Sequence, residues 1–233
     1  MNPKIAFGLF LLLVAALILT ACKITGGTVS EPDIEECQSL TNLSKDNCYL
    51  DHNKCSKIQS ITVRDTCVTE LAKVKKDITA CDLVVGEKAQ GYCQEQIAEI
   101  LNAHDLCEGI EDTYWNDICH HNLGVANNKD TYCALVSDEE QKEDCLFQVA
   151  IATNNTVLCE FLSTEKMSNC LFKVAVNMKE VMICQELPSV ISRDSCRVKV
   201  AEASCDKAIC ELIGTGLIKE NCLKRVNDAS CSK

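Results

Sequence analysis

The stretch CLFQVAIATNNTVLC, residues 145–159, is nearly repeated in CLFKVAVNMKEVMIC, residues 170–184. Both copies contain fifteen residues, begin with Cys-Leu-Phe, carry a Val-Ala pair and end with cysteine. The second copy starts eleven positions after Cys159. Such self-similarity is the sequence signature of a repeat architecture.

The spacing of the other cysteines extends this repeat along most of the chain. From Cys55 onward the separations alternate between 12 and 14 residues, apart from one deletion near Cys170 and two additional cysteines, Cys205 and Cys231. The period is therefore 26 residues. This length matches one helical hairpin per repeat.

The repeating cysteines are of two kinds, distinguished by the residues that follow them. The first kind has an apolar residue three positions later, and the second kind has a branched apolar residue four positions later, usually followed by Ala or Gly. These spacings predict helices, and a small residue at a helix surface lets two helix axes approach closely. The first kind comprises Cys37, Cys55, Cys81, Cys107, Cys133, Cys159, Cys184 and Cys210.

Each period is therefore predicted to contain a longer helix around the second cysteine and a shorter helix around the first. The fold class predicted is all-α, an α-solenoid of about eight short disulfide-bridged helical hairpins. Its layout resembles that of tetratricopeptide repeats, although the period is shorter and the aromatic consensus is absent. We also predict helix N-terminal caps by acidic or amide side chains, at Asp65, Asp77, Asp117, Asn155, Asp194 and Asp206.

Helix geometry predicts which cysteines pair. Cys81 and Cys93 each lie about six residues from a turn at Gly86 and Glu87, so at ~1.5 Å rise per residue they reach the same height on antiparallel helices. The alternative, Cys93 with Cys107, places its partners at different heights and exceeds the Cα separation of a disulfide. The predicted bridges are Cys37–Cys48, Cys55–Cys67, Cys81–Cys93, Cys107–Cys119, Cys133–Cys145, Cys159–Cys170, Cys184–Cys196 and Cys210–Cys222.

Two cysteines remain beyond these pairs, Cys205 and Cys231, each nine residues after a second-kind cysteine. We predict a ninth bridge between them that joins the last repeat to its neighbour. Nine bridges leave only Cys22 without a partner among the 19 cysteines of the chain. Such cysteine density indicates an oxidising compartment.

The N-terminus has the features of an export signal. One lysine precedes an apolar run from Ile5 to Ile18, and Leu-Thr-Ala-Cys follows at residues 19–22. These four residues resemble the lipobox of prokaryotic lipoproteins, which implies cleavage before Cys22 and a lipid on its sulfur. The alternative interpretation is an uncleaved signal anchor, because the run approaches the length of a membrane span. In both cases the remaining chain lies outside the cytoplasmic membrane.

The chain therefore divides into three predicted segments. Residues 1–21 form a lipoprotein signal peptide, and residues 22–36 form a lipidated cysteine with a flexible tether that contains Gly26 and Gly27. Residues 37–233 form the cysteine-rich repeat domain. As a whole the chain resembles cysteine-rich repeat lipoproteins of archaea or bacteria.

Charge and composition restrict the partners. The net charge is −11, and removal of Lys4 with the signal peptide changes it to −12. Because such a surface repels phosphate backbones and no Lys/Arg cluster interrupts it, we expect no nucleic acid partner.

No cofactor or metal is predicted. The cysteines together with His52, His104, His120 and His121 offer ligands for zinc or an iron cluster, but structural zinc favours close C-x2-C pairs, which this chain lacks. Covalent haem would require C-x-x-C-H, also absent. Asn42 and Asn154 each begin an Asn-x-Ser/Thr sequence and are possible glycosylation sites in an exported protein.

The sequence thus predicts a protein held at the cell membrane by a lipid on Cys22, on the extracytoplasmic face. We expect it to serve as a binding or structural interaction module for an unknown protein or peptide, without enzyme activity. This expectation depends on the extended surface that solenoids offer. The alternative function is an extracytoplasmic enzyme, a hydrolase or a thiol redox protein, with a site in the solenoid groove.

Overall fold

The structure is a computed structural model, and it describes residues 34–228. Every regular element in this range is a helix, and the described residues contain no strand. The chain forms two compact units, divided between Cys67 and Val68. Its fold class is all-α, with disulfide-bridged helical repeats of about 26 residues that form an α-solenoid.

Eight long helices in the described range each contain one cysteine. The first helix contains Cys48, and the other seven contain the second-kind cysteines, which are Cys67, Cys93, Cys119, Cys145, Cys170, Cys196 and Cys222. Six of the long helices, α2 to α7, are 15 residues long. The bounds are α1 Asn42–Asp51, α2 Ile61–Lys75, α3 Glu87–Leu101, α4 Thr113–Asn127, α5 Glu139–Thr153, α6 Thr164–Met178, α7 Val190–Ser204 and α8 Gly216–Asp228.

The first-kind cysteines lie in short helical segments between the long helices. Some of these segments are single α-helical turns and others are 3₁₀ helices, whose tighter winding suits short connections. Their bounds are Ile34–Gln38, Cys55–Lys57, Ile78–Leu83, His104–Gly109, Asp130–Cys133, Thr156–Cys159, Val181–Glu186 and Lys207–Glu211.

Each long helix is joined by a disulfide to the short segment that precedes it. In the eight described bridges the Cα atoms are 5.5–5.7 Å apart, as the argument from equal heights predicts. Cys205 is also disulfide-bonded. Its predicted partner, Cys231, lies outside the described residues. The bridged pairs are Cys37–Cys48, Cys55–Cys67, Cys81–Cys93, Cys107–Cys119, Cys133–Cys145, Cys159–Cys170, Cys184–Cys196 and Cys210–Cys222.

The N-terminal unit is described from residue 34 to residue 67. It contains the first two bridges and a small apolar centre that includes Tyr49 and Ile58. Asp46 in α1 accepts hydrogen bonds from the N–H groups of Gln59 and Ser60, both at 2.9 Å. These bonds fix the chain that leads into the next repeat.

The C-terminal unit is described from residue 68 to residue 228. Its successive long helices contact each other in chain order, from α3 against α4 to α7 against α8. The apolar residues predicted from the cysteine spacings are buried here, for example Val149 four residues after Cys145 and Val136 three residues after Cys133. The disulfides lie in the same core and occupy the space that large apolar side chains fill in other proteins.

A small residue in a long helix allows close packing against the next bridge. At Gly124 in α4, an added Cβ would lie 2.9 Å from the Sγ of Cys145 and 3.1 Å from the Sγ of Cys133. The disulfide of the next repeat therefore packs directly on the α4 backbone.

The long helices end in a recurring way. The residue nine positions after the second-kind cysteine adopts a left-handed conformation, as at Asn102, Asn128 and Asn154, with φ of 50° to 53°. Asparagine tolerates this conformation better than most residues. Cys205 occupies the same position, with φ 56°.

Three of the predicted helix caps are correct. Asp77, Asn155 and Asp206 precede short helical segments, and each side chain accepts a hydrogen bond from the N–H two residues later. The N-terminal caps of the long helices α4 and α5 are Asp112 and Asp138 instead.

The predicted caps at Asp65, Asp117 and Asp194 are wrong. Each is the fifth residue of a long helix and is buried. The carboxylate of Asp117 accepts hydrogen bonds from the N–H groups of Ser137 and Asp138 and from the Ser137 hydroxyl, at 2.7–2.9 Å. It thus joins α4 to the turn that starts α5.

The same arrangement recurs at other junctions. Glu143 accepts from the N–H of Ser163, and Asp194 accepts from the N–H and hydroxyl of Thr215. We call Asp46, Asp117, Glu143 and Asp194 the repeat-linking acids. Each lies two residues before the cysteine of its own long helix and binds the start of the following long helix.

No helix among the described residues has the length and apolar character required to cross a lipid bilayer. The predicted signal segment, residues 1–21, and the tether up to residue 33 lie outside the described range.

Candidate functional site

Aromatic side chains are rare in this chain, yet three of them meet on one surface. Trp115, the only tryptophan, lies in the first turn of α4 beside Tyr114, and Tyr92 faces them from α3. The ring centroids of Tyr92 and Tyr114 are each 5.0 Å from that of Trp115, with interplanar angles of 54° and 78°. The rings therefore present faces in different directions and form the walls of a concave surface.

We call this surface the aromatic pocket. It has a volume of about 480 Å³ and is lined by the three rings together with Lys88, Ala89 and Asp112. Tyr114 is 57 % exposed although it is a large ring. An apolar concavity of this size with a few polar groups at its edge is typical of ligand sites.

Gly91 makes this arrangement possible. A Cβ at this position would lie 2.9 Å from Cδ1 of Trp115 and 3.1 Å from Cβ of Asp112. Any larger residue would therefore push the indole away from α3. Gly91 also stands two residues before Cys93, the position that the repeat-linking acids occupy elsewhere.

The junction between α3 and α4 consequently lacks a repeat-linking acid. No described residue accepts a hydrogen bond from the N–H of Glu111 or Asp112, the groups that an acid would bind. The junction after Ser168 also lacks the acid, but there Pro188 has no N–H and the N–H of Ser189 binds a serine hydroxyl in its own helix. Departures from a protein's own structural rule concentrate at functional sites.

Carboxylates surround the aromatic pocket on one side. A second cavity of about 300 Å³ adjoins Gly91 and shares Asp112 with the aromatic pocket. The linings of the two cavities contain one basic residue, Lys88, which lies in the aromatic pocket. We call the carboxylates of the second cavity the acidic margin; they are Asp82, Glu87, Glu111 and Asp112.

A buried carboxylate lies on the same face of α3. Glu95 follows Tyr92 by three residues, so the two are neighbours along the helix. It is only 1 % exposed. Its two oxygens accept hydrogen bonds from Nε2 of Gln96 at 2.8 Å and from Nδ2 of Asn122 at 3.0 Å. Burial raises the pKa of Glu95, and the two amide donors only partly offset this effect.

This hydrogen-bond network continues across α4 to α5. The amide nitrogen Nδ2 of Asn122 donates to Glu95. The amide oxygen Oδ1 of Asn122 therefore faces Nδ1 of His121, at 3.2 Å. Nε2 of His121 lies 3.1 Å from Oδ2 of Asp144, which also accepts from Gln148. The network joins three successive long helices and fixes the surface that carries the aromatic pocket.

A pair of histidines, His104 and His120, lies nearby. Nε2 of His104 and Nδ1 of His120 are 2.9 Å apart, and the His104 ring stacks on Tyr132 with centroids 3.5 Å apart. Burial and the neighbouring His104 lower the pKa of His120. A pair of ring nitrogens supplies two ligand atoms, whereas a structural zinc site uses four.

One group in the described range has three potential metal ligands close together: Cys37, Cys48 and His52, whose ligand atoms lie within 4.8 Å of each other. The two sulfurs are joined in a disulfide. Since a thiolate is the form of cysteine that binds metal, this group lacks the required sulfur ligands. The expectation that the chain binds no metal stays a prediction.

The other residues predicted from the sequence are not brought together. Cys22 lies outside the described residues, and the bridged cysteines are distributed over all repeats. Asn42 and Asn154 are both exposed, so they are accessible to a glycosyltransferase. Their glycosylation stays a prediction.

Comparison of the chain with protein-family models, with curated proteins and with solved structures gives no match. The geometry of its own residues is therefore the basis for a functional interpretation.

Reasoning from cysteine spacing did not find the aromatic pocket. Tyr92 and Trp115 are 23 residues apart in different repeats, and neither belongs to the repeating pattern. A signal was nevertheless present: Trp115 and three of the four tyrosines lie between residues 92 and 132 of a chain with only 4 % aromatic residues.

Proposed function

We propose that this protein is a membrane-anchored, extracytoplasmic α-helical repeat lipoprotein that acts as a binding module without enzyme activity. The observation that carries the binding role is the aromatic pocket on α3 and α4. Tyr, Trp and Phe dominate the energetics of interfaces, because they bury large areas at low cost in side-chain entropy. A chain that uses few aromatics, and places two exposed tyrosines and a partly buried tryptophan around one pocket, has a surface suited to binding.

The bridges support the proposed location. Each of the 17 cysteines in residues 34–228 is disulfide-bonded, and disulfides of this density persist in oxidising compartments. The lipobox-like residues 19–22 supply the attachment to the membrane, and a tether of about a dozen residues separates it from the first helix.

The neighbouring titratable groups favour binding over catalysis. A general base needs a basic atom within reach of a substrate proton. Glu95 is enclosed, and both of its oxygens already accept hydrogen bonds. His121 is likewise engaged through both ring nitrogens.

The anchoring part of the proposal predicts the behaviour of Cys22→Ser. The variant should stay unlipidated, either as a full-length precursor or cut elsewhere, because a serine lacks the thiol that forms the thioether. Detergent phase partitioning and intact-mass measurement of the protein from a prokaryotic host would show this. A mass and partitioning equal to those of processed wild type, apart from the substitution, would contradict lipidation at Cys22.

The binding part predicts a position-dependent cross-link. A photoreactive amino acid at position 114, illuminated in native cell envelopes, should give a discrete adduct, because Tyr114 lines the proposed contact surface. The matched control places the same amino acid at Phe161, which is 66 % exposed but lies in another repeat. Equal adducts at both positions, or none at position 114, would refute the aromatic pocket as a binding surface.

A further inference from the structure

Charge decides which kind of ligand the aromatic pocket suits. Four carboxylates form the acidic margin. Lys88, which lines the aromatic pocket, is the single basic residue in the lining of the two cavities. The chain as a whole carries a net charge of −11. An anionic ligand would meet repulsion at short and long range, whereas a cationic ligand would be attracted at both.

The rings themselves also favour a cation. The face of an aromatic ring carries negative electrostatic potential, and tryptophan binds ammonium and guanidinium groups best. Within the described range, the cation–π contact is Lys173 over Phe147, with the ammonium 4.9 Å from the ring centroid. None of the protein's described cations makes a cation–π contact with Tyr92, Tyr114 or Trp115. Trp115 is partly buried, so the ring surfaces open to a ligand are those that line the pocket.

The geometry of the rings distinguishes a cage from a flat platform. The planes of Tyr92 and Tyr114 are inclined by 54° and 78° to that of Trp115. Inclined rings contact a compact group from several sides, whereas a sugar ring or a planar base stacks best on one open face. A side chain that ends in an ammonium or guanidinium group is therefore the better fit.

The carboxylate of Asp112 completes the site. It belongs to both cavities, and its Oδ1 accepts a hydrogen bond from the backbone N–H of Trp115 at 3.0 Å, which holds it at the start of α4. The second cavity, beside Gly91, extends the negative charge away from the rings. A ligand with one cationic group in the cage and further basic groups next to it would match both cavities.

We propose that the aromatic pocket binds a Lys or Arg side chain of a basic peptide segment on a partner protein. The ammonium or guanidinium group of that side chain lies against the rings of Tyr92, Tyr114 and Trp115 and close to the carboxylate of Asp112. Adjacent basic residues of the same segment face the acidic margin. This inference rests on the proposed binding function and specifies the ligand of the same site.

The fluorescence of Trp115 provides a direct test, because it is the only tryptophan of the chain. The full chain, purified in detergent, is titrated with an unstructured peptide rich in Lys and Arg. The matched probe is the same peptide with Gln at each basic position. We expect a saturable change with the basic peptide that weakens as salt is raised, and none with the Gln peptide.

Four variants, all of which keep Trp115, localise the effect. Tyr114→Ala removes one wall, and Asp112→Asn removes the charge but keeps a side chain that caps α4. Each should weaken binding of the basic peptide by at least about fivefold. Phe161→Ala and Asp138→Asn are the controls, since Asp138 caps α5 in the same way but adjoins no aromatic pocket; both should bind as the wild type does.

The outcomes separate this inference from the function on which it rests. No saturable change with the basic peptide, equal binding of the Gln peptide, or equal losses in the control variants would overturn the assignment of a basic segment. A response to tetramethylammonium without one to the peptide would overturn it as well. If the cross-link at position 114 still forms in native envelopes, the binding function stands and its ligand is of another class.

Discussion

Asp194 illustrates how single side chains connect the repeats. It is fully buried in α7, and its carboxylate accepts hydrogen bonds from the N–H and hydroxyl of Thr215 and from Arg197. A buried charge is tolerated only when such partners compensate for the loss of water. The bonds make the start of α8 depend on a residue in the preceding long helix.

We predict that Asp194→Asn lowers the free energy of unfolding by about 1–3 kcal/mol at neutral pH, because the amide offers a donor where the site presents only donors. Urea denaturation followed by circular dichroism, with disulfides intact, would measure the change. The exposed Glu186→Gln in the adjacent short segment is the control. A loss no larger than that of the control would show that the carboxylate does not stabilise the junction.

The effect should also depend on pH. Burial raises the pKa of Asp194, but the hydrogen bonds from Thr215, Gly214 and Arg197 outweigh burial and hold the pKa below its ordinary value of 3.8. A lowered pKa in the folded state means that the stabilisation is complete above the ordinary pKa and is lost as the pH falls through the folded value. The difference between wild type and Asp194→Asn should therefore shrink below about pH 4.

Sequence alone did not reveal this role, for a physical reason. Asp caps helix starts and also binds N–H groups from another element, and both uses place it near the N-terminal end of a helix. Asp77 and Asp206 do cap, whereas Asp117 and Asp194 lie one turn inside their helices and bind the next repeat. The recurring position two residues before the second-kind cysteine was the signal that separates the two groups.

At the scale of helices, the fit between a bridge and its neighbouring long helix depends on small residues. The Cys133–Cys145 bridge packs on Gly124 in α4, and the equivalent positions Ala98 and Ala150 are fully buried. Because a disulfide is rigid, it cannot move aside as a flexible side chain can.

We predict that Gly124→Val destabilises the protein by about 1–3 kcal/mol, because the branched side chain would overlap the two sulfurs. Thermal unfolding with disulfides intact would measure this loss. Gly109→Ala is the control, since an added Cβ there meets no heavy atom within 4 Å. If both variants unfold at the wild-type temperature, the contact between bridge and helix is looser than described.

The helices and bridges could be predicted because their pattern is local and repeated. Whether two cysteines lie at the same height on antiparallel helices follows from residue counts alone, and these counts placed Cys81 opposite Cys93. The aromatic pocket depends on a contact between α3 and α4 that a single glycine, Gly91, permits. No periodic signal marks such an exception, so the site could be recognised only from the arrangement of the helices.

At the scale of the molecule, stability should divide among the repeats, because each contacts mainly its neighbours. In each of the eight bridges described in full, the two cysteines are 11 or 12 positions apart, and such a bridge contributes through chain entropy about 2–3 kcal/mol. A chain poor in aromatic core residues therefore obtains much of its stability from many similar cross-links.

We predict that Cys133→Ala with Cys145→Ala costs about 2–4 kcal/mol and leaves the other bridges intact. Cys145→Ala with Cys159→Ala should behave worse, since it leaves Cys133 and Cys170 without partners. Mass mapping of non-reduced peptides and the yield of oxidised protein compare the two variants. A higher yield from the second variant would contradict the pairing in the structure.

The bridges also determine how the chain responds to mechanical force. The Cα atoms of each described pair are 5.5–5.7 Å apart, so tension passes through the disulfide, and the residues that it encloses cannot be pulled out. Between Cys67 and Cys184 only the segments that link successive bridges can extend; the cysteines at their ends are 14 positions apart, which gives roughly 50 Å when fully stretched. Under load the protein therefore lengthens in short, uniform increments, and each repeat keeps its own loop closed while its neighbours yield.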